Sequence, residues 1–143
     1  MNEECPFKSA EELGLTQKEW EALIKTLALM ENDAIQHVRY LAGYQPTPEN
    51  KNKIVFNMSV WRMPTHCGTA MCIGGSAEYF GGLGPDTLAA KSQENKALYD
   101  LFYPPFEHLG DYDTATTQQG AKALRYYLTT GKSDSWKVAR RRD

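Results

Sequence analysis

Apolar residues recur at helical spacing along the first third of the chain. The stripe consists of Trp20, Leu23, Ile24, Leu27, Met30, Ala34, Val38 and Leu41. This spacing predicts an amphipathic helix that buries one face. Asn and Asp favour caps over helix interiors, so a break is predicted at Glu31-Asn32-Asp33 and an end at Gly43.

Three sequence patterns predict where helices begin. They are the S/T-x-x-E/Q capping boxes Ser9–Glu12, Thr16–Glu19 and Thr116–Gln119. In such a box the hydroxyl accepts from a free backbone amide, and the acidic or amide side chain reaches back to the cap. The third box predicts a helix that ends at Gly131, after which Trp136 is expected to fold back onto the domain.

The middle of the chain predicts one strand and one further helix. Residues 54–61 alternate between apolar and other side chains, which favours a strand. Thr69 is predicted to cap a helix that runs to Tyr79 or Phe80, with Gly74 and Gly75 inside it to allow close approach of another backbone. A lone strand leaves its hydrogen-bonding edges open, so residues 54–61 need a partner in the chain or in a second subunit.

These elements predict a mainly α fold of four or five helices with one short strand or β-hairpin. The 143 residues are expected to form a single domain, with an N-terminal arm at 1–15 and a basic, solvated tail at 137–143.

Composition narrows the class of protein. The formal net charge is −2, so the broad positive field of non-specific DNA binding is absent and nucleic acid is not expected as a partner. No apolar run approaches the roughly 20 residues that cross a bilayer, and the acidic start Met1-Asn2-Glu3-Glu4 does not resemble a secretory signal. The odd count of three cysteines argues against a disulfide framework. A cytoplasmic protein without a membrane partner is the expectation.

The segment from His66 to Gly75 holds the candidate chemistry, and three hypotheses compete for it. In the structural one, Cys67 and Cys72 are small buried hydrophobes that let helices pack closely. In the metal hypothesis, both cysteines bind a metal ion with His66 and His108, although a second close-spaced pair is missing.

The third hypothesis is a reactive thiol. Cys67 would precede a helix N-terminus, whose partial positive charge favours the thiolate. His66 or His108 would serve as base, oriented by Asp111 or Asp113. Phosphate-binding glycine motifs are absent, so no cofactor is expected.

A longer pattern resembles a family of small uncharacterised bacterial and phage proteins. It comprises Phe56-Asn57-Met58 through Trp61, then Cys67-Gly68-Thr69-x-x-Cys72-Ile73-x-Gly75, Leu101-Phe102 with Pro104, Thr116-x-x-Gln119-x-Ala121-x-x-Leu124, and Thr130-Gly131 with Trp136. The chain departs from the family pattern at Gly74 and Ser76. The resemblance implies a mobile-element or accessory origin, and since the family has no established activity, no catalytic role is carried over from it.

The function expected from the sequence is therefore a non-enzymatic interaction or accessory module that self-associates. The alternative is a cysteine-centred enzyme, redox protein or metal-binding protein that uses Cys67, Cys72 and His66 or His108.

Overall fold

The computed structural model describes residues 6–39, 41, 43 and 45–140. The described part of the chain contains eight α-helices and four β-strands. The helices are α1 (Ala10–Leu13), α2 (Gln17–Glu31), α3 (Ile73–Phe80), α4 (Thr87–Ser92), α5 (Lys96–Phe102), α6 (Phe106–Leu109), α7 (Thr117–Thr130) and α8 (Ser135–Ala139). The strands are β1 (Gln36–His37), β2 (Ile54–Phe56), β3 (Arg62–Thr65) and β4 (Gly68–Met71). None of the described helices is long and apolar enough to cross a bilayer.

The fold is α/β, and the prediction of a mainly α domain with one short strand or hairpin is wrong. The four strands form one mixed sheet in the order β1-β2-β4-β3. Strands β1, β2 and β4 are parallel, and β3 pairs antiparallel with β4. The two central strands, β2 and β4, are short and mostly buried and do not alternate in polarity, so their sequences resemble segments of buried helix.

Most of the error in the predicted fold lies in two segments, the strand predicted over 54–61 and the helix predicted from Thr69. The predicted strand over 54–61 ends at Phe56, and β2 is an interior strand paired on both sides. The argument for self-association from an open edge at 54–61 therefore loses its basis. The predicted helix from Thr69 is wrong at its start, because Gly68–Met71 is β4 and α3 begins only at Ile73.

The predicted helix starts are confirmed. The hydroxyls of Ser9, Thr16 and Thr116 each accept from the backbone amide three residues later at 3.1 Å. The side chains of Glu12, Glu19 and Gln119 accept in return from the cap amides at 2.9, 2.9 and 3.1 Å. These boxes involve only neighbouring residues, so the local sequence suffices to predict them.

The long N-terminal stripe breaks where the sequence predicts. Helix α2 ends at Glu31, and Asp33 adopts a left-handed conformation with φ of 56°. The rest of the stripe does not continue the helix, since Gln36–His37 pairs with β2 as β1. Gly43 lies in the connection between these strands and does not end a helix.

Both chain ends within the described residues pack on the domain. Ala10 and Leu13 of the predicted arm are buried, and the Lys8 amide donates to the Leu128 carbonyl at 2.8 Å. Residues 137–139 belong to α8 and Arg140 bonds to α7, so the solvated tail predicted from residue 137 is not found there; residues 141–143 lie outside the described part.

The core lies between the sheet and helices α2, α3 and α7. Gly120 lets α7 approach α2 and the sheet closely, since a Cβ there would stand 2.6 Å from Met30 of α2 and 2.9 Å from Phe56 of β2. Trp136 of α8 folds back as predicted, is fully buried, and donates its indole N–H to the Leu101 carbonyl at 2.8 Å.

Candidate functional site

The structure separates the residues that the sequence singled out. His66 and Cys67 form the turn between β3 and β4, whereas Cys72 follows the opposite end of β4. Five residues of extended chain span roughly 16 Å, which is too far for two sulfurs to share one ion. His108 lies in α6. Within the ranges that the structure covers, no three His, Cys, Asp or Glu side chains are grouped to hold a metal ion.

Cys72 is held as a neutral thiol. It is 2% exposed and stands at the start of α3. Burial raises its pKa from 9.0 to about 12, and this outweighs the nearby amides of Gly75 and Gly74, which lower it. A thiol with this pKa is a poor nucleophile at neutral pH.

Cys67 belongs to a turn that is stabilised locally. The Thr65 hydroxyl donates to the Gly68 carbonyl at 2.7 Å and accepts from the Cys67 amide at 3.1 Å. The His66 carbonyl accepts from the Asn50 amide side chain at 2.9 Å. The turn thus attaches the β1–β2 connection to the edge of the sheet, and no described imidazole is bonded to the Cys67 thiol.

The two glycines of α3 serve the close approach that the sequence predicts. A Cβ on Gly75 would stand 1.8 Å from the carbonyl oxygen of Trp61, and one on Gly74 would stand 2.1 Å from its indole ring. The indole also packs edge-on against Phe102 and stacks on Tyr103, with ring centroids 5.4 and 5.7 Å apart. The cysteine-glycine segment is therefore used for packing.

A thiol-labelling experiment tests this assignment. We expect Cys67, which is half-buried, to alkylate in the native protein at pH 8, and Cys72 to react at least about 100-fold more slowly until urea unfolds the chain. Since the pKa of Cys72 is raised on folding, the folded state should also lose stability as pH rises from 9.0 towards 12.

Peptide mapping by mass spectrometry after a timed iodoacetamide pulse measures both rates, and Cys72→Ser identifies the slow site. Rapid labelling of Cys72 in the native state would restore the reactive-thiol hypothesis.

A polar network that the sequence did not reveal connects the carboxyl ends of β1 and β2. Asn57 is fully buried, and its side-chain amide donates to the Val38 carbonyl at 2.8 Å and to the Asp113 carboxylate at 3.1 Å. Its side-chain oxygen accepts from the Ser59 amide and hydroxyl at 2.7 and 2.5 Å. His37 contacts the Asp113 carbonyl at 2.8 Å. These groups are used to hold three chain segments together.

A surface of a different kind, which we call the basic–aromatic groove, extends from the amino end of β2 to Arg62 at the start of β3. Its aromatic part is Tyr79 and Phe80 at the end of α3, whose rings meet edge to face at 5.0 Å. The groove runs over Asn52 and Ile54, the residues shared by two adjoining depressions of about 250 and 450 Å³. Lys51 and Lys53 before β2 and Arg62 of β3 border these two depressions, and a third depression, which meets them at Phe80 and which we include in the groove, adds Lys18 and Lys25 of α2.

The cations of the groove are not neutralised by the fold. None of the five forms an ion pair with a described residue; the ion pairs of the described residues include those that join Lys91 to Glu19, Lys96 to Asp100 and Arg125 to Glu31. Two carboxylates, Glu21 and Asp33, line the same surface, and each accepts from a glutamine amide.

Arg62 and Tyr79 stack on each other in this groove. The guanidinium carbon lies 5.6 Å from the centroid of the ring, and Tyr79 remains 48% exposed. Sequence reasoning missed the groove because its cations are 44 residues apart at the extremes and the chain as a whole is weakly acidic. The available signal was the pair Lys51 and Lys53 beside a predicted strand.

Comparisons of the chain with protein families, with curated proteins and with solved structures found no match.

Proposed function

We propose that this protein is a non-enzymatic binding module and that its contact surface for an anionic partner is the basic–aromatic groove. The observation that carries the proposal is a set of five cations without ion pairs among the described residues, placed around the exposed ring of Tyr79 and the partly buried ring of Phe80. Unpaired cations on a folded surface create a local positive potential, which attracts and orients an anionic partner.

The fate of the other candidate residues supports the proposal. Catalysis by a thiol requires a thiolate and a base within hydrogen-bond reach. Cys72 is buried and neutral, and Cys67 lies at the opposite end of β4. The buried side chain of Asn57 already forms hydrogen bonds with a backbone carbonyl, Ser59 and Asp113. The groove combines open cations with an exposed aromatic ring, Tyr79.

The basic surface is tested with polyanions that carry no bases. We expect the protein to bind inorganic polyphosphate in isothermal titration calorimetry at low salt, and a triple variant with Lys51→Glu, Lys53→Glu and Arg62→Glu to bind at least about tenfold more weakly. The reason is that the substitution reverses the sign of the potential over the groove.

The matched control changes charge by the same amount elsewhere. Lys122, Lys132 and Lys137 are exposed and lie outside the groove, so a triple Lys→Glu variant at these positions should retain binding. Far-ultraviolet circular dichroism checks that both variants fold. Equal losses in the two variants, or no binding by the unaltered protein, would refute the groove as the contact surface.

A further inference from the structure

We infer that the anionic partner of the basic–aromatic groove is a single-stranded nucleic acid, one of whose bases stacks in the groove beside Tyr79 and Arg62. This inference rests on the proposed function and specifies its ligand. It is argued from the juxtaposition of unpaired cations with an open aromatic ring and a guanidinium plane.

The aromatic part of the groove distinguishes a nucleic acid from a simple anion. Phosphate alone needs cations and amides, whereas Tyr79 offers about half of its surface to solvent next to the guanidinium of Arg62. Proteins that bind single strands combine such rings and Arg side chains, on which bases stack, with a positive groove that follows the backbone. Phe80 fixes the position of Tyr79 by an edge-to-face contact at 5.0 Å.

The positions of the lysines match the second requirement for binding a single strand, a positive groove that follows its backbone. Lys51 and Lys53 lie on either side of Asn52, next to the ring, and Lys25 extends the positive surface past Phe80 along α2. A nucleic-acid strand with one base stacked on the Tyr79 ring would therefore have cations within reach of its phosphates on both sides of that base. Asn52 is exposed and can offer both a donor and an acceptor to the edge of a base.

The same features disfavour two other partners. In a duplex the faces of the bases are covered by their neighbours, so an exposed ring in a shallow groove would gain no stacking. An acidic peptide would pair with the lysines but would have no need of the exposed Tyr79 ring. The net charge of −2 excludes a positive field over the whole molecule but not a local one, so a short strand with few phosphate contacts is the expected ligand.

The experiment uses a fluorescein-labelled oligothymidylate of about twelve nucleotides, within the range of common site sizes, and fluorescence anisotropy. We expect binding that weakens by about twentyfold between roughly 50 and 200 mM salt, as three phosphate contacts would require. Tyr79→Ala should lower the affinity by about tenfold, because stacking on the ring is lost, and Tyr79→Phe should retain it. Tyr79 is exposed, so neither variant removes part of the core.

The controls separate failure of this inference from failure of the proposed function. The same oligonucleotide as a duplex, a poly-glutamate peptide and polyphosphate are measured in parallel. Equal binding of all four probes, or an unchanged affinity in Tyr79→Ala, would overturn the nucleic-acid assignment and leave a general anion-binding groove. Preference for poly-glutamate would point to an acidic protein partner. Absence of binding to every probe would overturn both proposals.

Discussion

Replacing Glu78 with Ala is expected to lower the free energy of unfolding by about 3–5 kcal/mol, because it leaves several N–H donors without an acceptor and each buried one costs about 1–3 kcal/mol. The carboxylate is 4% exposed and accepts four hydrogen bonds. One oxygen accepts from the Trp61 indole at 2.9 Å and from the Asp86 amide at 3.2 Å. The other accepts from the amides of Leu88 and Ala89 at 2.8 and 3.3 Å.

These contacts make Glu78 the cap of a helix to which it does not belong. Helix α4 begins at Thr87, and the preceding Asp86 is left-handed with φ of 63° and makes no cap bond with its own side chain. The carboxylate of Glu78 in α3 takes that place and also faces the positive end of the helix dipole. Without it, the buried Leu88 amide and the Trp61 indole lose their acceptor.

The conservative variant sharpens the test. Glu78→Gln keeps the size of the side chain but turns one acceptor into an amide donor that faces backbone donors, so we expect a loss of about 2 kcal/mol or more. Glu94→Ala serves as control, because Glu94 is exposed and makes no side-chain bond among those identified. Urea unfolding followed by circular dichroism measures all three variants. If Glu78→Ala matched Glu94→Ala, the cap assignment would be wrong.

The second large effect is expected from Gly75→Ala, which should destabilise the fold by at least about 3 kcal/mol or prevent folding. The added Cβ would stand 1.8 Å from the carbonyl oxygen of Trp61, and this obstacle is backbone, which has no alternative rotamer. Helix α3 and the segment that leads into β3 would have to separate. The contacts between Trp61 and the rings of Phe102 and Tyr103 would separate with them.

Two other glycines provide graded controls for Gly75→Ala. Gly84 has no positive φ, and a Cβ there meets only the Thr87 hydroxyl at 3.3 Å, so Gly84→Ala should change stability by less than about 0.5 kcal/mol. Gly82 has φ of 68° with open space around it, so Gly82→Ala should cost about 1 kcal/mol of backbone strain. In thermal unfolding, the loss of stability should be largest for Gly75→Ala, smaller for Gly82→Ala and smallest for Gly84→Ala. A different order would show that the approach of Trp61 is not the limiting contact.

The two predictions bear on the proposed ligand surface as well as on stability. Tyr79 follows Glu78 in α3, and Arg62 follows Trp61 at the start of β3. The packing that holds Trp61 against α3 therefore also sets the distance between the guanidinium and the ring. A partly folded Gly75 variant should lose nucleic-acid binding together with its stability, whereas Tyr79→Ala should lose binding alone.

The features that could be predicted from the sequence alone are local. The three capping boxes, the break after Glu31 and the helix end at Gly131 all follow from residues near each other along the chain. Each depends on a hydrogen bond within one turn or on the conformational freedom of a single residue. Such features survive unchanged in any fold that contains the segment.

The pairing of segments and the contacts between distant side chains emerge only when the whole chain packs. Gly68–Met71 is a strand because β2 and β3 flank it, and this pairing moves the helix start to Ile73 and buries Cys72. The groove forms only when four parts of the chain come together: α2, β3, α3 and residues 51–53, which precede β2. Neither the spacing of those residues nor the net charge encodes that arrangement, because long-range pairing is decided by burial of the whole core.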